Sequence, residues 1–497
     1  MLVEAERLYR EVLRLDPGRL GALNNLGNVL QSLERLTEAE NCYREVLARE
    51  PRAPEALYNL GATLGKLGRE DEARARYEEL LAVLRAEGDA LAREGSHAEA
   101  AECYRRALTL RPDDAALLNQ LGVVLDAQGL LTEALAPLQR ALEIAPGDAD
   151  VAYNLGIVLQ ALGRYDEAIA NYERVLQAEP DRGEASLAKA LSRLTAGDFE
   201  RGWREYECRY NARFERPRVV RPDLAFPMWQ GEPLAGRRLL VIGEQGYGDQ
   251  IQFVRYVAQL ARQGAEVDVA ADARLHRLIA TAPGVRRVVQ GVARGADYDF
   301  WSLMLSLPLR MGTRLDSVPA DIPYLRPAPE DVGKWAERLR ALPQGRMKVG
   351  LVWNAGNTSR ERAQGRSMGF EALQPLSRVP GVSFVGIEYG ESPPAGELPV
   401  LQLGAEVGDF ADQAALLMNL DLLVTVDTAA AHLAGAIGVP AWVLLPASPD
   451  WRWMWGRADS PWYPNKTRLL RQAQMGDWAS VVERAAQELS ALAARPR

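Results

Sequence analysis

The sequence predicts a two-part fold, in which an all-α repeat array precedes an α/β part with two lobes. Three observations indicate this fold class. Prolines recur at a fixed step in the first part, short apolar runs alternate with helical patterns in the last part, and a proline-rich stretch lies between them. A chain of 497 residues has room for about three compact units.

Prolines and glycines mark the repeats. The prolines follow similar helices, and the glycines lie in the first helix of each unit. They occupy positions 17, 51, 112, 146 and 180, and positions 27, 61, 88, 122 and 156, respectively. The usual step is 34 residues, which is the period of the tetratricopeptide repeat (TPR). One glycine step is 27 residues, seven fewer than 34, which predicts a shortened loop near Glu79–Val83.

Small and aromatic residues also recur at fixed places in the repeats. A small residue lets two helices approach closely, and a ring beside it fills the gap. These positions hold Ala39, Ala73, Ala100, Ala134 and Ala168, and Tyr43, Tyr77, Tyr104, Tyr172 and Tyr206. We expect five full repeats and a degenerate sixth at Gly197–Tyr210. The chain opens in the second helix of a repeat, so we expect either an upstream partner helix or another element that caps it.

An amide side chain stands just before the Leu-Gly pair in four repeats, as Asn25, Asn59, Gln120 and Asn154. A helical solenoid offers a concave surface to extended segments. An amide has both a donor and an acceptor, so it can bracket a peptide unit of a bound chain. These residues are therefore candidate acceptor-binding residues. The alternative is that the amides are solvated or bonded within the array.

The pattern changes between Asn211 and Gly236, where a proline-rich linker is expected. Afterwards a strand at Arg237–Ile242, a glycine-rich turn, a helix from about Gln250 to Gln263 and the strand AEVDVA form one cycle of a parallel doubly wound sheet. A second cycle begins with MKVGLVW, and SFVGIE, DLLVTVD and AWVLLP follow as strands. A closing helix near Asp477–Ala494 is expected to cross back toward the first lobe. The predicted organisation is 1–212 repeat array, 213–235 linker, 236–335 first Rossmann-like lobe and 336–497 second Rossmann-like lobe.

The turn after the first strand, Gly243–Asp249, is a candidate catalytic segment. Gly246 and Gly248 are expected to allow a tight turn that approaches the donor, and Asp249 then begins a helix at the mouth of the sheet. A carboxylate there can accept a proton from an acceptor hydroxyl. Equally, Asp249 can serve only to cap its helix, since aspartate is a favoured cap.

The segment Asp421–Pro446 predicts a diphosphate site. An apolar strand leads to Asp427 and Thr428 at a helix N-terminus, whose unpaired N–H groups and positive dipole end suit phosphate. Ala429 is small enough for phosphate oxygens to approach, and His432 lies one turn further on the same face. The alternative is a capped helix with a structural histidine.

Composition excludes several classes of function. A net charge of −8 argues against nucleic acid as the main partner. No window resembles a membrane span or a secretory signal. The three cysteines and three histidines form no metal-ligand pattern, so we expect no metal, no disulfide framework and a reducing cytoplasm. Asp297–Asp299 reads DYD, which could suggest a metal-binding motif, but its surroundings do not.

The chain resembles bacterial TPR-linked glycosyltransferases, which are related to the heptosyltransferases (family 9) and O-GlcNAc transferase (family 41). The resemblance rests on GDFERGWREYECRY, MWQGEPLAG, EQGYGDQIQF, LSLPLRMGT, VGLVW, DTAAAHLAGAIGVPAW, PDWRWMW and SPWYP, in that order. It implies an all-α TPR solenoid followed by an α/β GT-B fold of two Rossmann-like lobes.

The resemblance also implies roles for residues. The aspartate of the family's Gly-Asp pair is a base, which implies this role for Asp249, and the segment with Asp427, Thr428 and His432 binds the nucleotide diphosphate. Arg366 matches the arginine that precedes a serine in the related enzymes, and a guanidinium there can neutralise the leaving diphosphate. The sequence departs from the family after VGLVW, where Asn354–Asn357 replaces a Ser and Gly-Asn-Pro turn. No match to the lysine motif of eukaryotic O-GlcNAc transferase is visible.

The predicted function is metal-independent, inverting transfer of a sugar from a nucleotide-sugar substrate, without a separate cofactor, to a Ser or Thr hydroxyl. The TPR groove would recruit the protein or peptide acceptor. Similar TPR-linked enzymes modify flagellins, so the resemblance suggests a flagellin. Two alternatives remain open: a sugar transferase of surface-glycan assembly, and a non-catalytic TPR adaptor with a decayed transferase part. The aromatic run Asp450–Pro464 is expected to shape a substrate pocket or to pack the lobes.

Overall fold

The computed structural model describes residues 1–211, 213–214, 219–291, 297–355, 365–388 and 398–495. Gly356 and Asn357 of the segment that departs from the family pattern lie outside the described residues. The chain forms two compact units, Met1–Leu162 and Gly163–Arg497. Among the described residues, no helix is both long and apolar enough to cross a membrane.

All residues of the first unit are described, and the unit consists of nine TPR helices. Their amphipathic faces pack consecutive helices together, which is how a repeat array builds its core. The helices are α1 Leu2–Leu15, α2 Leu20–Ser32, α3 Leu36–Arg49, α4 Pro54–Lys66, α5 Glu70–Glu94, α6 His97–Leu110, α7 Ala115–Ala127, α8 Leu131–Ile144 and α9 Ala149–Ala161.

The recurring glycines of the first helices lie against the aromatic rings of the second helices, a pairing that the sequence analysis did not predict. A Cβ atom built on Gly27 would lie 2.6 Å from Cε1 of Tyr43, so only glycine lets the two helices come this close. In one repeat the aromatic position holds Leu138, which lies beside Gly122. A Cβ atom built on Gly122 would lie 2.4 Å from Cγ of Leu138. The recurring glycine therefore marks a helix contact and not a helix end.

The predicted shortened loop near Glu79–Val83 is wrong. These residues lie inside α5, which runs for 25 residues and fuses the second helix of one repeat with the first helix of the next. The segment EELLAVLRAE holds strong helix formers and no proline or glycine before Gly88, so nothing stops the helix. The repeat is seven residues shorter because the turn between these two helices is missing.

The second unit begins with the last repeat helices. These are α10 Tyr165–Ala178, α11 Gly183–Ala196 and α12 Phe199–Tyr206, and a short 3-10 turn, Glu207–Tyr210, follows α12. The repeats thus continue past the border between the compact units.

Two parallel sheets form the α/β part. The first has the order β3-β2-β1-β4 and the second the order β10-β9-β8-β5-β6-β7. We call the parts built on them the first lobe and the second lobe. The strands are β1 Arg238–Ile242, β2 Glu266–Ala270, β3 Val285–Val289, β4 Phe300–Leu303, β5 Met347–Val352, β6 Val382–Gly386, β7 Val400–Gln402, β8 Leu422–Val426, β9 Ala441–Leu445 and β10 Thr467–Arg471.

Helices cover these sheets, as parallel strands require. They are α13 Tyr247–Phe253, α14 Val257–Arg262, α15 His276–Ile279, α16 Leu307–Arg310, α17 Pro329–Arg338, α18 Phe410–Leu417, α19 Ala429–Ile437 and α20 Trp478–Ala493. A 3-10 turn at Val254–Tyr256 divides the single helix expected from Gln250 to Gln263. The predicted lobe border between residues 335 and 336 falls inside α17.

The closing helix does not cross back to the first lobe as predicted. The buried face of α20, which includes Val481, Ala485 and Leu489, belongs to the same core cluster as Val349 and Val424 of the second sheet. The apolar face of α20 is buried against its own lobe. One contact between lobes is made by α13 and α19, which pack against each other.

Candidate functional site

Each sheet has a point where the strand order reverses direction, and ligands of open α/β sheets bind at the carboxyl ends of the strands there. In the second sheet this point lies between β5 and β8. Arg366 follows β5 and Asp427 follows β8 directly. In the first sheet the corresponding point lies between β1 and β4, and Asp249 belongs to the turn and helix that follow β1. The candidate residues thus lie at the two places where this architecture opens a crevice.

The turn before α13 is built differently from the prediction. Its left-handed residue is Gln245, with a φ of 60°, whereas Gly246 is extended. Asp249 lies in the first turn of α13, where its Oδ2 accepts a hydrogen bond of 3.0 Å from the backbone N–H of Gly246. Asp249 therefore does cap its helix, and its other carboxylate oxygen is available for a second contact.

Gly248 is required by the contact between lobes and not by the turn. A Cβ atom at this position would lie 2.8 Å from Cδ2 of His432 and 3.4 Å from Cα of Ala429. The first turn of α13 thus lies directly on the first turn of α19. This contact brings Asp249 next to the predicted diphosphate segment of the other lobe.

The start of α19 has the geometry that a phosphate site needs. Thr428 is the residue before the helix, and its side chain does not cap it. Its hydroxyl instead shares a hydrogen bond of 3.0 Å with the hydroxyl of Thr425. Among the described residues, no side chain caps the N–H groups of the first turn, next to Ala429, and such groups favour an anion.

His432 is a buried residue at the contact between lobes. Its Nδ1 lies 3.0 Å from the hydroxyl of Tyr463, and its ring stacks on Trp453 with 5.0 Å between centroids. Burial, reinforced by the positive charge of Arg452, lowers the pKa of His432 to about 3. The imidazole is therefore neutral at physiological pH, and it offers a ring nitrogen and not a charge to a ligand.

Arg452 is the site residue that the sequence did not predict. It is 7% exposed, forms an ion pair with Asp249 of the other lobe and donates to Oδ1 of Asp450 at 2.7 Å. Burial alone would lower the pKa of Arg452, but the two carboxylates outweigh it and raise the pKa. A signal was present, because an arginine between buried tryptophans must be buried itself and then needs a carboxylate partner.

A second arginine and carboxylate lie beside the first pair. Nη1 of Arg366 is 3.5 Å from Oδ2 of Asp427, which is 5% exposed. Burial raises the pKa of the Asp427 carboxyl, the charge of Asp450 adds to this, and Arg366 opposes it. Among the described residues, two arginines and three carboxylates lie together here, and a diphosphate that enters would compete with those carboxylates for the arginines.

The aromatic run Asp450–Pro464 packs against the last repeat helices. Trp451 meets Trp203 edge to face at 5.2 Å, and Trp462 stacks on Phe199 at 5.8 Å between centroids. The backbone N–H of Trp455 donates to the carbonyl of Thr195 at 3.3 Å. The loop that carries Arg452 is thus supported by α11 and α12, while Trp453 of the same run stacks on His432.

Three of the four candidate acceptor-binding amides already donate hydrogen bonds inside the array. Nδ2 of Asn59 donates to Asn24 at 3.3 Å, and Nδ2 of Asn154 donates to Asn119 at 2.9 Å. Nε2 of Gln120 donates to Oδ1 of Asp89 at 2.9 Å. Each bond joins first helices of neighbouring repeats. Asn25 lies exposed on α2.

The DYD motif contributes ion pairs at the edge of the first sheet. Asp297 pairs with Arg238 and Asp299 with Arg237, each at 2.8 Å. Among the described residues, no three His, Cys, Asp or Glu side chains are grouped closely enough to hold a metal ion.

Comparisons with known proteins confirm the repeats. Tetratricopeptide repeat models match residues 18–86, 85–149 and 149–182. Protein FlbA of Caulobacter vibrioides (strain ATCC 19089 / CIP 103742 / CB 15) is 30% identical over 335 residues, which cover 62% of this chain and 55% of that protein. The chain thus spans about half the length of this curated relative. Because residues 1–235 are less than 62% of the chain, the similarity extends into the α/β part.

Among solved structures, the chain is similar to YrrB, described as a TPR protein with an unusual peptide-binding site. The two are 24% identical, and the match covers 37% of this chain and 98% of that one, with a TM-score of 0.23. A crystal structure of MamA is 21% identical and covers 37% of this chain and 91% of its own, also with a TM-score of 0.23.

Proposed function

We propose that this chain is a glycosyltransferase that moves a sugar from a nucleotide-sugar donor to a Ser or Thr hydroxyl of a protein. The observation that carries the proposal is the contact between α13 and α19. It joins a carboxylate of one lobe, Asp249, to an uncapped helix N-terminus and two arginines of the other lobe. Such an arrangement suits the transfer of a group from a diphosphate to a hydroxyl.

The leaving diphosphate is the part of the donor that this site suits best. The helix N-terminus at Thr428 supplies N–H donors and partial positive charge, and Arg366 and Arg452 supply two full charges. Carboxylates pair with both guanidinium groups in the structure. A bound diphosphate would replace these carboxylates and would free Asp249 to act as a base.

The proposed reaction is a single displacement. The carboxylate of Asp249 accepts the proton of the acceptor hydroxyl, and that oxygen forms a bond to the anomeric carbon. The bond between this carbon and the diphosphate oxygen breaks, and the leaving nucleoside diphosphate keeps the electron pair. General-base catalysis of this kind contributes about 10²- to 10⁴-fold to the rate. Neutral His432 takes no proton in this scheme.

The TPR array would recruit the acceptor. Asn59, Gln120 and Asn154 each donate a hydrogen bond between repeats. A bound peptide would meet the other polar atoms of these amides and the exposed side chain of Asn25. The array therefore binds an acceptor through its surface as a whole more than through a ladder of unpaired amides.

The test is a thermal-shift screen of UDP, GDP, CMP and ADP, each alone and with its common sugars. A ligand that binds only the native state stabilises it by about 2.7 kcal/mol at a concentration of 100 Kd. We expect one base to raise the Tm, and we expect Thr428→Val and Arg366→Met each to abolish that rise. Arg378→Met is the matched control, because Arg378 is an exposed arginine of the same lobe.

The outcomes separate the candidate functions. A base-specific shift together with sugar transfer to a protein supports the proposal. A shift with transfer only to a purified glycan acceptor indicates an enzyme of surface-glycan assembly. If none of the nucleotides raises the Tm, the transferase assignment fails and a TPR adaptor becomes the better hypothesis.

A further inference from the structure

The turn that leads to Asp249 is held from outside its own lobe. Glu244, two residues after β1, accepts two hydrogen bonds from Arg209, at 2.9 Å from Nε and 2.8 Å from Nη2. Arg209 belongs to the 3-10 turn that follows α12, and it is 1% exposed. The same guanidinium donates to the hydroxyl of Ser306 at 2.9 Å, beyond the end of β4. Arg209 thus bridges the two strand ends at which the first sheet reverses its order.

Two further bonds complete this bridge. The backbone N–H of Leu305 donates to Oε1 of Glu244 at 2.9 Å. Nε2 of Gln245 donates to the hydroxyl of Tyr206 at 2.8 Å. Gln245 has a φ of 60°, which is uncommon for residues other than glycine, and this hydrogen bond favours that conformation. Gly246, the next residue, is the one that Asp249 caps.

The loop that carries Arg452 stands on the same helix. Trp203 of α12 packs edge to face on Trp451, the neighbour of Arg452, and Tyr206 lies 6.1 Å from Trp451 between ring centroids. Both charged partners of the contact between lobes, Asp249 and Arg452, are therefore supported by the last repeat.

We propose that the last repeat, α12 with the turn Glu207–Tyr210, is a built-in part of the transferase site, and that Arg209 is a positioning residue for Asp249. The inference rests on the proposed function for the role of Asp249. It assigns the degenerate sixth repeat to the enzyme and not to the recruiting surface. Arg209 contacts neither substrate nor reacting atoms in this scheme, and it acts through Glu244.

Lysine in place of Arg209 tests the bridge with little change in charge. Lysine carries one compact charge and cannot hold Glu244 with two parallel bonds while it also reaches Ser306. The matched control is Arg193→Lys in α11, since Arg193 is a nearly buried arginine of the same repeat that pairs with Glu205, Asp198 and Glu173. The control changes a guanidinium of the same repeat that makes none of the described bonds to the first lobe.

Hydrogen exchange of the full chain gives a readout that does not depend on activity. We expect Arg209→Lys to speed amide exchange at residues 244–250 at least tenfold, while exchange in β8 and α19 stays within twofold of wild type. Arg193→Lys should leave residues 244–250 unchanged. Equal loosening of the whole second unit by Arg209→Lys, or no change at residues 244–250, would overturn the positioning role.

Turnover links this result to the chemistry. With the sugar nucleotide that stabilises the wild-type protein in the screen, Arg209→Lys should lower kcat at least tenfold and leave KM for that donor within twofold. A rise in KM without a fall in kcat would also overturn the proposal. If the wild-type protein turns over none of the panel, the proposed function fails, while the exchange data still decide whether Arg209 holds the turn.

Discussion

At the scale of single residues, the contact between Asp249 and Arg452 defines the site. The two residues are 203 positions apart, and they come together only because α13 lies on α19. Asp249 also holds the N–H of Gly246, so it has one oxygen for structure and one for Arg452. This division makes its structural and chemical roles separable by a substitution that keeps an acceptor oxygen.

We predict that Asp249→Asn folds and binds nucleotide but loses transfer activity by about 10²- to 10⁴-fold. The asparagine carbonyl can still accept from Gly246, whereas the amide cannot take a proton at neutral pH. Sugar transfer and the nucleotide-induced Tm rise would be measured side by side, with Asp316→Asn, an exposed aspartate of the same lobe, as control. Full activity in Asp249→Asn rules out the base.

His432 predicts a specific dependence of stability on pH. Its folded-state pKa of about 3 lies below the ordinary value of 6.5. As the pH falls below 6.5, His432 therefore becomes protonated in the unfolded chain but not in the folded chain. The free energy of unfolding decreases for this reason. Between pH 7 and pH 5 one such group removes about 2 kcal/mol. The raised pKa of Asp427 acts in the opposite sense, with stability lost as the pH rises.

The measurement is urea unfolding of wild type and His432→Gln at pH 7 and pH 5. We expect wild type to lose about 2 kcal/mol more than the variant over this interval, because the contributions of Asp427 and other groups cancel in the comparison. The same pH-dependent loss in both proteins would show that His432 does not remain neutral in the fold.

At the scale of elements, α5 is the clearest departure from the regular repeat. A missing turn does not interrupt the array here, because two helices that would have been joined by a loop became one. Leu80, Leu81 and Leu84 are buried along this stretch, so the fused helix has a continuous apolar face. The array keeps its core while it loses a repeat boundary.

A proline in the fused segment distinguishes a helix from a loop. Ala82 is exposed, so its replacement changes the backbone and little packing. Ala82→Pro should destabilise the protein by about 3 kcal/mol or more, and Ala82→Gly by about 1 kcal/mol. Circular dichroism during thermal unfolding measures both. A proline tolerated as well as the glycine would mean that residues 79–83 form a loop after all.

At the scale of the whole molecule, the border between compact units does not coincide with the border between repeats and sheets. Leu194, Phe199, Trp203 and Tyr206 of the last repeat share one hydrophobic cluster with Val241 of the first sheet and its neighbours. The α/β part therefore includes α11 and α12 in its core. The proline-rich linker connects two elements of one unit.

This organisation predicts which fragment folds. Residues 163–497 should unfold cooperatively on heating, whereas residues 213–497 should not, because they leave the partners of Trp203 and Arg209 uncovered. Calorimetry of both fragments against the full chain makes the comparison. A cooperative transition in the shorter fragment at the same Tm would show that the last repeat is dispensable to the α/β fold.

The local patterns of the sequence determined much of this description. The period of 34, the recurring small and aromatic positions and the short apolar strands depend on side chains near in sequence, and family models confirm the repeats. The segments ending at Asp249 and at Asp427 were recognisable because parallel strands deliver residues to one edge of a sheet. The glycosyltransferase reading of these segments remains a proposal.

Only the tertiary structure decided which distant residues meet. Arg452 approaches Asp249, Arg209 reaches Glu244, and Gly248 is explained by His432, although each pair lies far apart in the chain or in different lobes. The same packing directed α20 to its own lobe and the tryptophan run to the last repeat. Periodicity specifies which face of an element is apolar, but the partner that covers that face is chosen by long-range packing, which no local pattern contains.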